Sequence, residues 1–163
     1  MLISERDYSI IVDTREQKPW KFRGLKENKN KQEAEIYIEV KRHGLTSGDY
    51  SIYGHENKIA IERKSKADLF FCMGKDRERF ERQVQRLNET VDLPYVFVEA
   101  SWESIMMGCD TSKLLPKVVF RTRASWEQKY PKVKWYFLPT VRVAEAQAFR
   151  VFDTYWRHLT EGN

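Results

Sequence analysis

Apolar residues recur along this chain at two spacings, and the two spacings divide it into strands and helices. Tyr8 to Asp13 (YSIIVD) is an apolar run rich in β-branched residues, which predicts a strand buried on both faces. Ile36, Ile38 and Val40 alternate with Tyr37 and Glu39 in a second strand. Ile59, Ile61 and Arg63 alternate with Ala60, Glu62 and Lys64 in a third. The turn formers Gly54-His55-Glu56-Asn57 stand before it, so Gly48 to Lys64 reads as a hairpin. Tyr95 to Ala100 and Val133 to Leu138 are further core strands. Helical spacing begins after Ser65, a predicted N-cap for Lys66 to Phe71, with Asp68 in the first turn. From about Asp76 to Thr90, Phe80, Val84, Leu87 and Val91 share one helical face. Ser101 caps a short helix through Met107, and Ser112 is expected to cap the next, where Pro116 is tolerated in the first turns and the end falls near Pro131. Thr140 caps the last helix, Val141 to Leu159, whose apolar stripe is Ala144, Ala148, Val151, Phe152, Tyr155 and Leu159. Gln17 to Glu35 is polar and basic; Pro19 and Gly24 mark it as a loop, with Glu27 to Glu35 as a candidate short helix. This order predicts an α/β fold, a mixed β-sheet flanked by α-helices.

The hairpin carries candidate chemistry. If its turn is closed by Tyr53 opposite Lys58, Asp49 lies directly opposite Glu62, with Cβ atoms roughly 5 Å apart. Two carboxylates that close repel unless a cation lies between them, and a divalent ion with oxygen ligands is the natural candidate. Lys64 projects from the same face as Glu62 and would sit beside that ion. Two carboxylates, a cation and a lysine suit phosphodiester hydrolysis. The competing reading is a solvated hairpin with ordinary surface charges.

Composition narrows the class. With 163 residues, 41% of them hydrophobic, the chain is long and apolar enough for a full core and is expected to form one domain. Lys and Arg number 29 against 24 Asp and Glu, a net charge of +5 that permits a polyanionic partner without demonstrating one. Cys72 and Cys109 make neither a disulfide framework nor a metal spacing. The N-terminus has charges where a signal peptide needs an apolar run, and no apolar run approaches the roughly 20 residues of a membrane span. The expectation is an intracellular protein, cytoplasmic or nuclear, neither secreted nor membrane-bound.

Further candidates flank the hairpin. Asp13 ends a buried strand, followed by Arg15 and Glu16, and ligands bind beyond strand ends in open sheets; the alternative is that Asp13 caps the turn. Lys18, Lys21 and Arg23 are interleaved with Trp20 and Phe22, a pattern that can bind phosphates and stack on bases, or else a solvated linker whose Trp20 packs on the core. Arg77 and Arg79 open the amphipathic helix, whose mixed charges read first as a solvated face but leave room for phosphate contact. Phe149, Phe152, Tyr155 and Trp156 give the last helix more large side chains than one sheet face needs, which points to pairing of two copies.

Taken together, Val12-Asp13-Thr14-Arg15-Glu16, Gly48-Asp49-Tyr50, Glu62-Arg63-Lys64 and Asp68 resemble the nuclease signature of the XPF family of structure-specific DNA endonucleases. The stretch Arg77 to Arg86, with Gln83, resembles the helix that follows in that family, and the strand ending at Glu99 the strand after it. The resemblance implies a restriction-endonuclease-like fold over residues 1–163, and Mg²⁺- or Mn²⁺-dependent hydrolysis of DNA at branched or duplex/single-strand junctions, as in repair or recombination. It implies Asp49, Glu62 and the backbone carbonyl of Arg63 as metal ligands, and Lys64 as the group that positions or activates the attacking water. Asp13, a further possible ligand, and Asp68 would belong to the wider acidic site, supported by Arg15, Glu16 and Arg63. The helix-hairpin-helix module of many members is not expected here. A catalytically silent junction-binding module and a sequence-specific nuclease of the same fold are the alternatives.

Overall fold

The computed structural model describes residues 1–162. In chain order its elements are β1 (Leu2–Val12), β2 (Lys26–Lys29), β3 (Gln32–Arg42), β4 (Tyr50–Ile52), β5 (Ile59–Ser65), α1 (Lys66–Met73), α2 (Arg77–Thr90), β6 (Leu93–Glu99), α3 (Trp102–Met106), α4 (Pro116–Lys129), β7 (Lys134–Phe137) and α5 (Val141–Glu161). The strands form one sheet in the order β2-β3-β1-β4-β5-β6-β7. β1 is parallel to β3, β4 is antiparallel to β1 and β5, and β5, β6 and β7 run parallel, so the sheet is mixed as predicted.

Side-chain alternation sorts the residues into two cores. Ile10, Val12, Ile36, Ile59 and Ile61 pack on one face against Ala144, Ala148 and Phe152 of α5. Ala60, Val96 and Val98 pack on the other against Leu69 of α1, Phe80 and Val84 of α2 and Trp126 of α4. β5 therefore feeds both cores from adjacent residues, as a period of two requires.

Three expectations are corrected. Residues 27–35 are no helix: β2 and β3 form a hairpin turned by Asn30 (φ 53°) and Lys31 (φ 65°). Ala34 and Ile36 are buried there, and pairing β3 alongside β1 outweighs local helix formation. α4 begins at Pro116 with Leu115 as its N-cap, and Ser112 instead accepts the Leu114 N–H at 3.1 Å. Proline excludes the preceding residue from the α region, and Leu115 is extended with ψ 140°. The buried face of α5 is Ala144, Glu145, Ala148, Phe149, Phe152 and Asp153, while Leu159 is exposed. Two acidic residues belong to that face because they have buried partners: Asp153 accepts from Arg6 Nε at 2.7 Å and from the Tyr8 hydroxyl at 3.1 Å. Phe149 and Phe152 are likewise taken up by the chain's own core. No helix among the described residues is long and apolar enough to cross a membrane.

Candidate active site

The β4–β5 ladder pairs Tyr50 with Ile61 and Ser51 with Ala60, the register that sets Asp49 opposite Glu62. The hairpin loop differs from the expected closure, because Tyr53 N–H donates to Ser9 O of β1 at 2.9 Å. Asp49 continues the ladder in its own way: its N–H donates to Ile61 O at 2.8 Å and its Oδ2 accepts the Arg63 N–H at 2.8 Å. Gly48 makes this approach possible. Its φ is +81°, and a Cβ there would meet Ala60 Cβ and Ile61 O at 3.2 Å.

β1 delivers Asp13 to the same place, its N–H donating to Asp49 O at 2.8 Å. Both of its carboxylate oxygens are engaged: Oδ1 accepts the Leu45 N–H at 2.9 Å and Oδ2 accepts Arg15 Nε at 2.8 Å. Burial works against the charge on Asp13, but the Arg15 and Leu45 hydrogen bonds hold its carboxyl below the usual carboxylate range. Asp13 therefore orders the loop that leads to Asp49.

Asp49 has the opposite electrostatics. Burial, then the Glu62 charge beside it, pushes its carboxyl up to about 8. Glu62 is 7% exposed, and its Oε1 lies 3.1 Å from Lys64 Nζ. Lys64 passes over the Phe80 ring at 5.0 Å. Its burial favours the neutral amine, yet the Glu62 and Asp49 carboxylates keep it above the ordinary lysine value, so it stays a cation. From α2, Arg79, Gln83 and Arg86 close the opposite wall of a cleft of about 210 Å³, and Arg86 Nη1 donates to Thr46 O at 3.3 Å.

This donor set fits a divalent ion. Asp49 Oδ1 and Glu62 Oε2 have no hydrogen-bond partner among the described residues, and two carboxylates forced together need a cation more than either needs water. In a strand the N–H and C=O of one residue point the same way, so the Arg63 carbonyl faces the Asp49 side along with its N–H. No three His, Cys, Asp or Glu side chains among the described residues converge on one point. Mg²⁺ keeps several waters and is held through one or two carboxylates plus substrate phosphates, a need that the Asp49–Glu62 pair can meet.

The Arg63 side chain belongs to the other face. Its Nε donates to Glu99 Oε1 at 2.8 Å and its Nη1 to Lys18 O at 2.7 Å and Glu16 Oε2 at 3.3 Å. Tyr50 donates to Glu16 at 2.8 Å and accepts the Trp20 N–H at 2.9 Å, while Trp20 Nε1 donates to Glu99 at 3.1 Å. Trp20 and Phe22 are thus core residues, and the linker reading of residues 17–25 is the correct one for its aromatics. Glu145 Oε2 holds that segment by accepting the N–H groups of Lys21 at 3.0 Å and Phe22 at 2.9 Å. Asp68 is not brought to the Asp49–Glu62 pair; it is exposed on α1, in a neighbouring groove with Glu16, Lys18 and Glu99. Arg15, Lys18, Lys21 and Arg23 are exposed, and Arg79 reaches the cleft. Arg77 turns away, its guanidinium over Trp126 at 5.4 Å and bonded to Met73 O at 3.3 Å. Sequence reasoning missed Tyr50, Glu99 and Glu145 as supports of the site; a polar residue ending a buried strand was the available signal for Glu99.

The ERCC4 domain model matches residues 12–134, from the last residue of β1 into β7. The chain belongs to the ERCC4 domain family. The match contains Asp13, Glu16, Asp49, Glu62, Asp68 and Glu99 and leaves α5, with Glu145, outside it. Two solved structures share the ERCC4 fold with this chain. "XPF from Aeropyrum pernix" superposes with a TM-score of 0.61 at 18% identity, covering 93% of this chain and 61% of that one. "XPF from Aeropyrum pernix, complex with DNA" gives 0.62 at 17% identity, with 96% and 66% covered. The chain thus spans less than two thirds of the length of either. No curated protein matches it.

Proposed function

We propose that residues 1–163 form one XPF-type nuclease domain that hydrolyses DNA phosphodiester bonds at branched or duplex/single-strand junctions, using Mg²⁺ or Mn²⁺. The observation that carries this reading is the placement of Asp49, just before β4, opposite Glu62 of β5, with Lys64 of β5 beside Glu62 and Arg79, Gln83 and Arg86 across a small polar cleft. The solved XPF in complex with DNA supports the substrate class. Asp49, Glu62 and the Arg63 carbonyl would hold the ion. Once bound there, it would supply charge neutralisation at a phosphate oxygen and a lower pKa for a water molecule. Lys64, kept cationic by its carboxylate neighbours, stabilises the charge that grows on the phosphate. Asp13 holds Asp49 in register, and the Glu16–Arg63–Glu99 network fixes β5 from behind. Departure of the 3′ oxygen leaves a 5′-phosphate. An intracellular location and pairing of two copies belong to the same proposal.

The test is cleavage of labelled flap and splayed-arm DNA with Mg²⁺. Glu62→Ala and Lys64→Ala should each lose about a hundredfold or more. Undiminished cleavage by both overturns the proposal. Tight junction binding without cleavage in either metal would make the chain a silent binding module, and preference within a randomised duplex library would make it a sequence-specific nuclease.

A further inference from the structure

The β2–β3 ladder stops at Lys26 opposite Glu35, so β2 covers only the first part of β3, which runs on to Arg42. The Ile36 N–H donates outward to Leu25 O, while the His43 N–H donates inward to Val12 O. By alternation the N–H and C=O groups of Ile38, Val40 and Arg42 point outward, and none is hydrogen-bonded among the described residues. Edge strands are commonly blunted by proline, a bulge or very short length. Residues 36–42 contain no Pro or Gly, and the extra residues at the register shift belong to β1. The charges of this edge are sorted by face. Ile36, Ile38, Val40 and Arg42 share the face turned towards α5, and Glu35, Tyr37, Glu39 and Lys41 share the other. Between the edge and residues 19–23 lies a groove of about 560 Å³, lined by Ile38, Val40 and Phe22 together with Lys21, Arg23 and Arg42. Glu35, Tyr37 and Glu39 border it from the opposite face of β3. Lys21, Arg23 and Arg42 form no ion pair among the described residues. Arg42 is held by Nη1 on the carbonyls of Thr14 (3.3 Å) and Glu16 (2.7 Å), which leaves Nε and Nη2 for a carboxylate.

We infer that this edge accepts an extended segment of another protein as an added strand, with acidic side chains at alternate positions over Lys21, Arg23 and Arg42. The free edge presents donors and acceptors in turn, and a second strand answers both. A DNA backbone brings acceptors for the N–H groups but no donor for the carbonyls between them. The charge rule is one-sided. In the added strand the positions between the acidic ones face Glu35 and Glu39, so they take neutral or basic residues. The inference stands apart from the nuclease reading, because it uses no side chain of the Asp49–Glu62 cleft.

The test selects displayed random peptides of about ten residues on the full chain, then measures the enriched ones as labelled synthetic peptides by fluorescence anisotropy. Enriched sequences should carry Asp or Glu at alternate positions, with no acidic residue between them. The double variant Lys21→Ala/Arg23→Ala should weaken them roughly fivefold or more. Both side chains are exposed, so loss of folding does not confuse the result. N-methylation of one alternate set of peptide amides should weaken binding at least about tenfold, and of the other set leave it within about threefold. Bound peptide should slow hydrogen exchange at Ile38, Val40 and Arg42 and leave Trp135 and Phe137 of the β7 edge unchanged. No enrichment, enriched peptides without that alternation, no loss in the double variant, equal effects of the two methylated sets, or protection at β7 instead overturns the inference. Protection of Ile38 and Val40 that rises with protein concentration without peptide would give the edge to a second copy, and the same protection by oligo-dT would give it to nucleic acid; either overturns it too. Absence of DNA cleavage would sink the nuclease reading and leave this inference standing, since none of its readouts uses cleavage.

Discussion

Asp49 is the residue at which the site can be tested without a substrate. Its carboxyl has an ordinary value of 3.8 and is pushed up to about 8 in the folded chain, by burial first and by Glu62 second. The folded state therefore keeps a proton that the unfolded state releases between those two values, and stability of the metal-free protein should fall as pH rises through that window. Asp49→Asn removes the titrating group and retains an oxygen for the Arg63 N–H, so its melting temperature at pH near 8 should exceed that of the wild type, while DNA cleavage drops by about a hundredfold or more. Thermal melts from pH near 4 to pH near 8 check this, and a wild-type curve that rises with pH would contradict it. Asp49, Glu62 and Lys64 were legible in the sequence because a period of two decides which side chains share a face. Glu99 and Tyr50 were not legible as supports, since their partners, Arg63, Trp20 and Glu16, come from other segments and meet them only in the folded sheet.

At the scale of elements, the helices were readable wherever a side-chain cap stood at the start. Ser65, Ser101 and Thr140, the predicted caps, accept the N–H groups of Asp68, Ser104 and Val143. The β2–β3 hairpin was not readable, because its two-residue turn lacks the usual glycine. Asn30 tolerates positive φ, but Lys31 at φ 65° bears a left-handed backbone that a side chain with a Cβ resists. Lys31→Gly converts the turn to Asn-Gly and should stabilise the protein by about 1 kcal/mol, measured as a shift in the denaturant midpoint at constant slope. A loss of stability would show that Lys31 has a contact worth more than its backbone strain.

The whole sheet has two ends, and they are protected unequally. β2, with the sequence Lys26-Glu27-Asn28-Lys29, ends one side in short, charged residues that discourage strand addition. β7 ends the other with Trp135, Tyr136 and Phe137, beside half-buried Trp102. The Leu138 N–H donates to Val98 O, so by alternation the N–H groups of Trp135 and Phe137 point away from β6. The sequence suggested pairing through the last helix, but Phe149 and Phe152 are in the core, Trp156 Nε1 donates to Asp7 at 2.7 Å and the Tyr155 hydroxyl meets His55 Nδ1 at 2.7 Å. A helix stripe read alone overstates its surplus, because it does not show which strands and turns come back to cover it. If two copies pair, the β7 end is the place the fold leaves for it, where backbone donors stay unpaired among the described residues, while Trp135 is buried and Tyr136 and Phe137 are half-buried against the chain's own cores. Sedimentation equilibrium of the chain at micromolar concentration should then give twice the 19.5 kDa of one copy, dissociating on dilution. Hydrogen exchange should slow at Trp135 and Phe137 as the dimer forms. A species of 19.5 kDa at all concentrations would remove pairing from the proposal and leave β7 an edge kept apart by its short length.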